Sequence, residues 1–176
     1  MAKKVSAVDE KIARKRDRLE KYGDVVELAN LSAVQMTSVK FSVKPEFFAN
    51  DDHRNLSYTI DKGTMEYLRD QKAGMAFLSL KVEAKSGRKR TLYCEAEYLV
   101  TYDNLIDLNE EAVVAFLDRV APFACYPYFR SLFANLDWAA TTGLPPLPVH
   151  KEPARPRVPN FLSAANTRPK RGSQEG

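Results

Sequence analysis

Apolar and polar residues alternate strictly along two long segments in the middle of the chain. The apolar positions are Ala76, Leu78, Leu80, Val82 and Ala84 in the first segment, and Leu92, Cys94, Ala96, Tyr98 and Val100 in the second. A period of two places all of these side chains on one face of a β-strand. Residues 85–88 join the segments, and Gly87 among them suits the positive φ of a tight turn. The pattern predicts an antiparallel hairpin with one apolar and one polar face.

Two further strands are predicted upstream of this hairpin. Residues 31–44 are rich in β-branched and aromatic residues, and a short strand follows near residues 56–61. The alternating apolar residues are Val39, Phe41 and Val43 in the first of these strands and Leu56, Tyr58 and Ile60 in the second. Val34 and Met36 have the opposite parity, so a bulge or a change of buried face is expected near Thr37.

Helical patterns flank the four strands. Residues 6–22 contain good helix formers without Gly or Pro, and Gly23 is the predicted end of this helix. Beyond Tyr102 the apolar period changes to that of a helix, which Asp107 or Asn109 can cap. Pro122 is expected to interrupt this helix and Pro127 to begin a second one, which ends at Gly143. The predicted fold is α+β: a four-stranded antiparallel sheet with two C-terminal helices packed on one face, plus an N-terminal helix.

The charge of the chain divides it into three parts. Residues 1–23 form a basic helical extension with 8 basic and 4 acidic groups, and residues 151–176 form a basic, proline-rich tail that is expected to be mobile. The domain between them, 24–150, is acidic, although the whole chain has a formal net charge of +4. No apolar run is long enough to span a bilayer or to form a signal core, so a cytoplasmic protein is expected. The two cysteines lack metal-site spacing and are predicted to be reduced and buried.

Catalytic chemistry has little support in the sequence. There is no glycine-rich phosphate loop, nucleophile elbow or metal-binding His pair, so we expect no enzyme, cofactor or metal. His53 lies in a polar loop and is the candidate catalytic residue under the hypothesis that the protein is a hydrolase. His150 borders the tail and is expected to be exposed. The alternative function is a nucleic-acid or polyanion binding module, acting through basic clusters in the arms such as residues 14–18 and 168–171.

Residues 31–150 resemble the SecB chaperone family. The features that carry the resemblance are Leu92-Tyr93-Cys94-Glu95, the helix at 109–120, the block Ala124-Cys125-Tyr126-Pro127-Tyr128-Phe129-Arg130, and the exit Leu144-Pro-Pro-Leu147-Pro-Val149. The resemblance implies an ATP-independent holdase, assembled as a homotetramer (a dimer of dimers), that binds unfolded polypeptides in apolar grooves. Its clients would be preproteins for export and translocation, or a dedicated client such as the antitoxin of a toxin-antitoxin system.

Two sets of site residues follow from this reading. Phe47 and Phe48 are apolar where a loop is usually polar, which supports a client-binding surface near them. The predicted client-binding residues are Val39, Phe41, Val43, Phe47, Phe48, Leu56, Tyr58, Ile60, Leu144, Leu147 and Val149. The translocase motor SecA is a candidate partner, but the basic tail differs from the acidic one that docks on it in export SecB. The acidic strand residues Glu83, Glu95 and Glu97 are the alternative docking surface for such a partner.

Overall fold

The computed structural model describes residues 7–49 and 56–151, with side chains from residue 10 onward. The helices are α1 (Ala7–Leu28), α2 (Glu46–Ala49) and α3 (Glu110–Ala140), and the strands are β1 (Asn30–Val43), β2 (Leu56–Leu68), β3 (Ala73–Ser86) and β4 (Lys89–Asp103). A 3₁₀ turn, Arg69–Gln71, links β2 to β3. His53 lies outside the described residues.

The four strands form one antiparallel sheet in the order β1-β4-β3-β2. The predicted hairpin is confirmed: Ser86 pairs with Lys89, and Gly87 turns the chain with a φ of 58°. Because β1 and β2 are the two edges, the chain between them passes from one side of the sheet to the other. Residues 50–55 of that crossover are not described.

Two bulges shape β1. Its pairing with β4 shifts between Leu31 and Ala33 and again between Met36 and Ser38, which confirms the bulge predicted near Thr37. The Thr37 hydroxyl donates a hydrogen bond of 3.2 Å to the carbonyl of Glu97 across this bulge. The extra residue at each bulge changes which sequence positions face the core, and the strand remains continuous through both bulges.

Strand β2 is longer than predicted. It runs seven residues past Asp61, to Leu68, with an irregularity between Lys62 and Met65. This stretch includes Gly63, where an added Cβ would lie 3.0 Å from the carbonyl oxygen of Phe77. Polar residues and this glycine interrupt the alternation of apolar and polar side chains after Asp61, so the strand predicted from that alternation is too short.

The predicted pair of C-terminal helices is one continuous helix, and the break expected at Pro122 was wrong. Helix α3 is 31 residues long, is capped by the Asn109 side chain, and contains both prolines. Each interior proline costs about 3 kcal/mol in an isolated helix. The buried side of α3 continues on both sides of the prolines, with Leu117 and Ala121 before them and Phe129 after. Burial of each large apolar side chain contributes about 1.5–3 kcal/mol, which offsets the cost.

Helix α1 also passes through its predicted end. It continues beyond Gly23 to Leu28 because Val25 is fully buried and Tyr22 packs on Phe116 of α3, with ring centroids 6.3 Å apart. An added Cβ at Gly23 would meet no atom within 4 Å, so nothing in the surroundings requires a glycine.

The core lies between α3 and one face of the sheet, which we call the inner face. Its central strands contribute the fully buried Leu80, Val82 and Val100. Cys94 and Cys125 are free and buried here, as predicted, and burial raises the pKa of their thiols to about 11 and about 12. Neither is a reactive thiolate at neutral pH. No helix among the described residues has the length and apolar composition needed to cross a membrane.

Candidate client-binding surface

One row of apolar side chains follows the whole inner face of the edge strand β1. The bulges at residues 32 and 37 correct the parity of the sequence, so that residues from both halves of the strand point to the same face. Each is paired in register with an inner-face residue of β4. We call this set the β1 row: Leu31, Val34, Met36, Val39, Phe41 and Val43.

The β1 row is only partly covered by the chain itself. Leu31 and Met36 are each 48% exposed and Val39 is 44% exposed, whereas the apolar residues of β3 and β4 beneath α3 are buried. Exposed apolar side chains in a continuous row are unusual on a monomer and mark a surface for binding another chain. Of the six, the prediction contained Val39, Phe41 and Val43. Leu31, Val34 and Met36 were missed, because their parity agrees with the others only once the bulges are placed.

Helix α2 adds two aromatic rings directly after this row. Phe47 and Phe48 meet edge to face with centroids 5.4 Å apart, and Phe48 is 58% exposed while Phe47 packs partly against the core. The backbone N–H of Lys44 donates to the carbonyl of Thr91 at 2.8 Å, which ties the start of α2 to β4. The two rings therefore extend the apolar surface at the end of β1.

The β2 residues of the predicted set lie on the opposite margin of the sheet. Leu56, Tyr58 and Ile60 face inward and are half-buried. Strands β4 and β3 separate them from β1, a distance of roughly 14 Å at about 4.8 Å per strand. The structure thus divides the predicted client residues into two groups, one at each margin of the sheet.

The segment after α3 folds back over the group at β2. The Tyr126 hydroxyl, whose ring lies 5.8 Å from that of Tyr58, donates a hydrogen bond to the carbonyl of Pro148. Leu144 and Leu147 are buried in the core, whereas Val149 is 62% exposed. In this conformation Leu144 and Leu147 are not open to a client, and the β1 side is the more open of the two.

The expectation that His150 is exposed was wrong. Its ring packs against Phe123 and Tyr126, with centroids 4.7 and 5.3 Å away, and its Nδ1 atom is buried without a hydrogen-bond partner among the described residues. Burial, with a smaller contribution from nearby Lys62, lowers the pKa of this imidazole. His150 thus holds the returning segment to α3. No group of three or more metal-binding side chains occurs in the described part of the chain.

The predicted acidic surface lies on the opposite, outer face of the sheet, and its charges are largely paired there. Glu95 has a side chain that is 13% exposed, accepts a hydrogen bond of 3.1 Å from Ser79, and forms ion pairs of 3.4 Å with Lys40 and Lys81. Burial alone would raise the pKa of Glu95, but hydrogen bonds from Tyr93, Ser79 and Lys40 outweigh it and lower the pKa to about 2.

The other two glutamates differ from each other. Hydrogen bonds from Lys85 and Arg90 lower the pKa of Glu83, and the Arg90 guanidinium also stacks 4.0 Å from the centroid of the Tyr93 ring. Glu97 is exposed and forms no ion pair with any residue in the described ranges. The outer face therefore carries a network of mixed charge around Glu83 and Glu95, and of the three predicted glutamates Glu97 is the one without an ion pair to a described residue.

Comparison with known proteins supports the predicted architecture. A scan against protein-family models and a search of curated proteins each returned no match. Among solved structures, the chain is similar to the Mycobacterium tuberculosis SecB-like chaperone Rv1957 in complex with a ChAD peptide from the antitoxin HigA1. The TM-score is 0.56 over 78% of this chain and 99% of the other, at 18% identity. The chain has a SecB-like fold. At this identity the likeness is one of fold alone, and it confirms the fold that the sequence predicted.

Proposed function

We propose that this protein is an ATP-independent holdase that captures non-native polypeptide segments on the β1 row and the adjoining rings of α2. The observation that carries the proposal is the exposed apolar row along an edge strand. A strand of 14 residues is about 46 Å long, which matches an extended client segment of similar length.

Two kinds of contact would contribute to capture. Apolar side chains of the client bury the exposed parts of the β1 row, and its backbone can pair with the edge of β1 in a chain whose edge is not paired with a second copy. Both are reversible and involve no covalent step, so neither nucleotide nor cofactor is needed. The group at Leu56, Tyr58 and Ile60, with Val149, is proposed as a secondary contact that opens when the returning segment moves.

The client and the assembly are part of the same proposal. A dedicated client such as an antitoxin is supported by the complex of the SecB-like neighbour with an antitoxin peptide, while preproteins for export are the alternative. A dimer of dimers is supported by the free β1 edge and by Tyr128 and Trp138 of α3, which are 55% and 86% exposed. SecA remains a proposed partner of the outer face, where Glu97 is the most accessible of the three predicted glutamates.

The test is aggregation of a chemically denatured protein diluted into buffer, followed by light scattering without nucleotide. The proposal predicts suppression at a near-stoichiometric ratio of oligomer to client, and no further effect of ATP. The mass of the purified protein, measured by multi-angle light scattering, should correspond to more than one chain. A monomer that leaves aggregation unchanged at tenfold excess would refute the proposal.

A further inference from the structure

A groove with a volume of about 830 Å³ lies between α1 and the first half of α3. It shares no residue with the β1 row. Six basic and two acidic side chains line it, so its net charge is positive although the domain around it is acidic. The basic residues are Lys11, Arg14, Lys15, Arg18, Lys21 and Arg119.

The groove exists because α1 is anchored near one end. Tyr22 and Val25 hold its C-terminal part against α3, as described above. All residues from 10 to 20 are exposed, so this part of α1 extends beside α3 without packing into the core. The surfaces of the two helices therefore face each other across an open groove, whose volume lies within the range of ligand-binding clefts.

The positive charge of the groove is not neutralised internally. Lys21 is paired with Asp17 at 2.8 Å, and Arg18 approaches Glu111 only at 3.9 Å with both side chains more than 80% exposed, which makes that pair weak. Lys11, Arg14 and Lys15 form no ion pair with a residue in the described part of the chain. At least three cationic groups thus remain for an external anion.

Apolar atoms between these charges indicate which anion fits. Leu19, 62% exposed, lies in the groove with the ring of Tyr22 and the methyl group of Ala115. We propose that this groove binds an acidic, amphipathic polypeptide segment, whose carboxylates pair with the basic residues and whose apolar side chains cover Leu19. Nucleic acid fits less well, because a phosphate backbone would leave the exposed apolar side chain of Leu19 uncovered.

The test compares two charge-matched variants of the full chain. Arg14→Glu/Lys15→Glu reverses two charges in the groove, and Arg88→Glu/Lys89→Glu makes the same change at the exposed hairpin tip. The probe is a fluorescent 16-residue amphipathic peptide of Glu, Leu and Ala, titrated by anisotropy at 50 and 300 mM salt. We expect the groove variant to bind at least tenfold more weakly and the tip variant to change less than threefold. Binding should weaken at the higher salt.

Several results would overturn the proposal. Equal losses in both variants would show attraction by net charge alone, and equal affinity for the peptide with Lys in place of Glu would exclude charge recognition. Tighter binding of a 16-nucleotide single strand would assign the groove to nucleic acid, and a changed oligomer mass in the groove variant would assign it to contacts between copies. Aggregation of a client without acidic segments should be suppressed equally by the groove variant, so the failure of either proposal is distinguishable from failure of the other.

Discussion

Replacing two exposed residues of the β1 row should weaken client binding without unfolding the protein. In the variant Met36→Thr/Val39→Thr, both side chains become polar while strand propensity is retained. Full burial of such a side chain contributes about 1.5–3 kcal/mol, and close to half of each is still exposed in the free chain. The two together should therefore cost about 1.5–3 kcal/mol of binding free energy, or roughly 10- to 150-fold in Kd.

The assay is anisotropy titration of a labelled, permanently unfolded client, such as a reduced and carboxymethylated protein. The matched control is Phe77→Thr, because Phe77 is 40% exposed but lies on the outer face of the same sheet. The Phe77→Thr variant should bind the client with a Kd within threefold of that of the parent protein. Urea denaturation should show that each variant remains folded, since both residues of the row lie at the surface.

The reasoning would be refuted by either of two outcomes. Unchanged affinity in the row variant would mean that clients bind elsewhere, and an equal loss with Phe77→Thr would mean that any exposed apolar residue contributes. A loss confined to Met36 and Val39 identifies the β1 side of the inner face as the site.

Three other changes test the packing and the charge network. Gly23→Ala should raise the free energy of unfolding by about 0.5–1 kcal/mol, because the added methyl group meets no atom in the interior of a helix. Gly74→Ala should lower it by about 1–3 kcal/mol in the same urea titration, because the new Cβ would lie 2.9 Å from Cδ1 of Leu105 and 3.1 Å from Cδ1 of Leu117, and these fully buried side chains can shift only by disturbing their packing. Because the pKa of Glu95 is lower in the folded protein than in the unfolded chain, its ionised form stabilises the fold at pH values above the ordinary pKa of a carboxyl group. This stabilisation is lost as the pH falls toward about 2. For Glu95 it amounts to at most about 3 kcal/mol, so Glu95→Gln should be less stable than the parent at pH 7, and the difference should disappear by pH 2. Equal stability of the two at pH 7 would contradict the ion-pair network.

The alternation of apolar residues and the turn residues correctly predicted those parts of the fold that depend on residues close together in the sequence. The hairpin around Gly87 and the bulge at Thr37 follow from alternation and turn chemistry, and both are present. The continuity of α3 through Pro122 does not follow from local propensity, because it depends on the sheet beneath the helix. The same is true of α1 beyond Gly23, where the tertiary burial of Val25 determines the end of the helix.

The candidate site was predicted in composition but not in arrangement. Sequence alone indicates that Phe41 and Tyr58 are apolar strand residues, but not that they lie on opposite margins of the sheet. That separation arises from strand order, which places both members of the central hairpin between them. The paired state of Glu95 was equally hidden, since Lys40 is 55 residues away in the chain.

Pairing of two copies through their β1 edges is compatible with burial of client side chains on the β1 row, although it excludes pairing of the client backbone with the same edge. Pairing of two β1 edges uses backbone N–H and C=O groups in the plane of the sheet, whereas the β1 row projects from its inner face. A second copy docked at the edge would therefore leave the row exposed and place another row beside it, which would double the width of apolar surface offered to a client. Client affinity should then rise with protein concentration through the range in which the chain associates. Proline at a position of β1 that lies outside the row and has its backbone N–H on the free edge would separate the two contributions, because it would block edge pairing while leaving every side chain of the row in place.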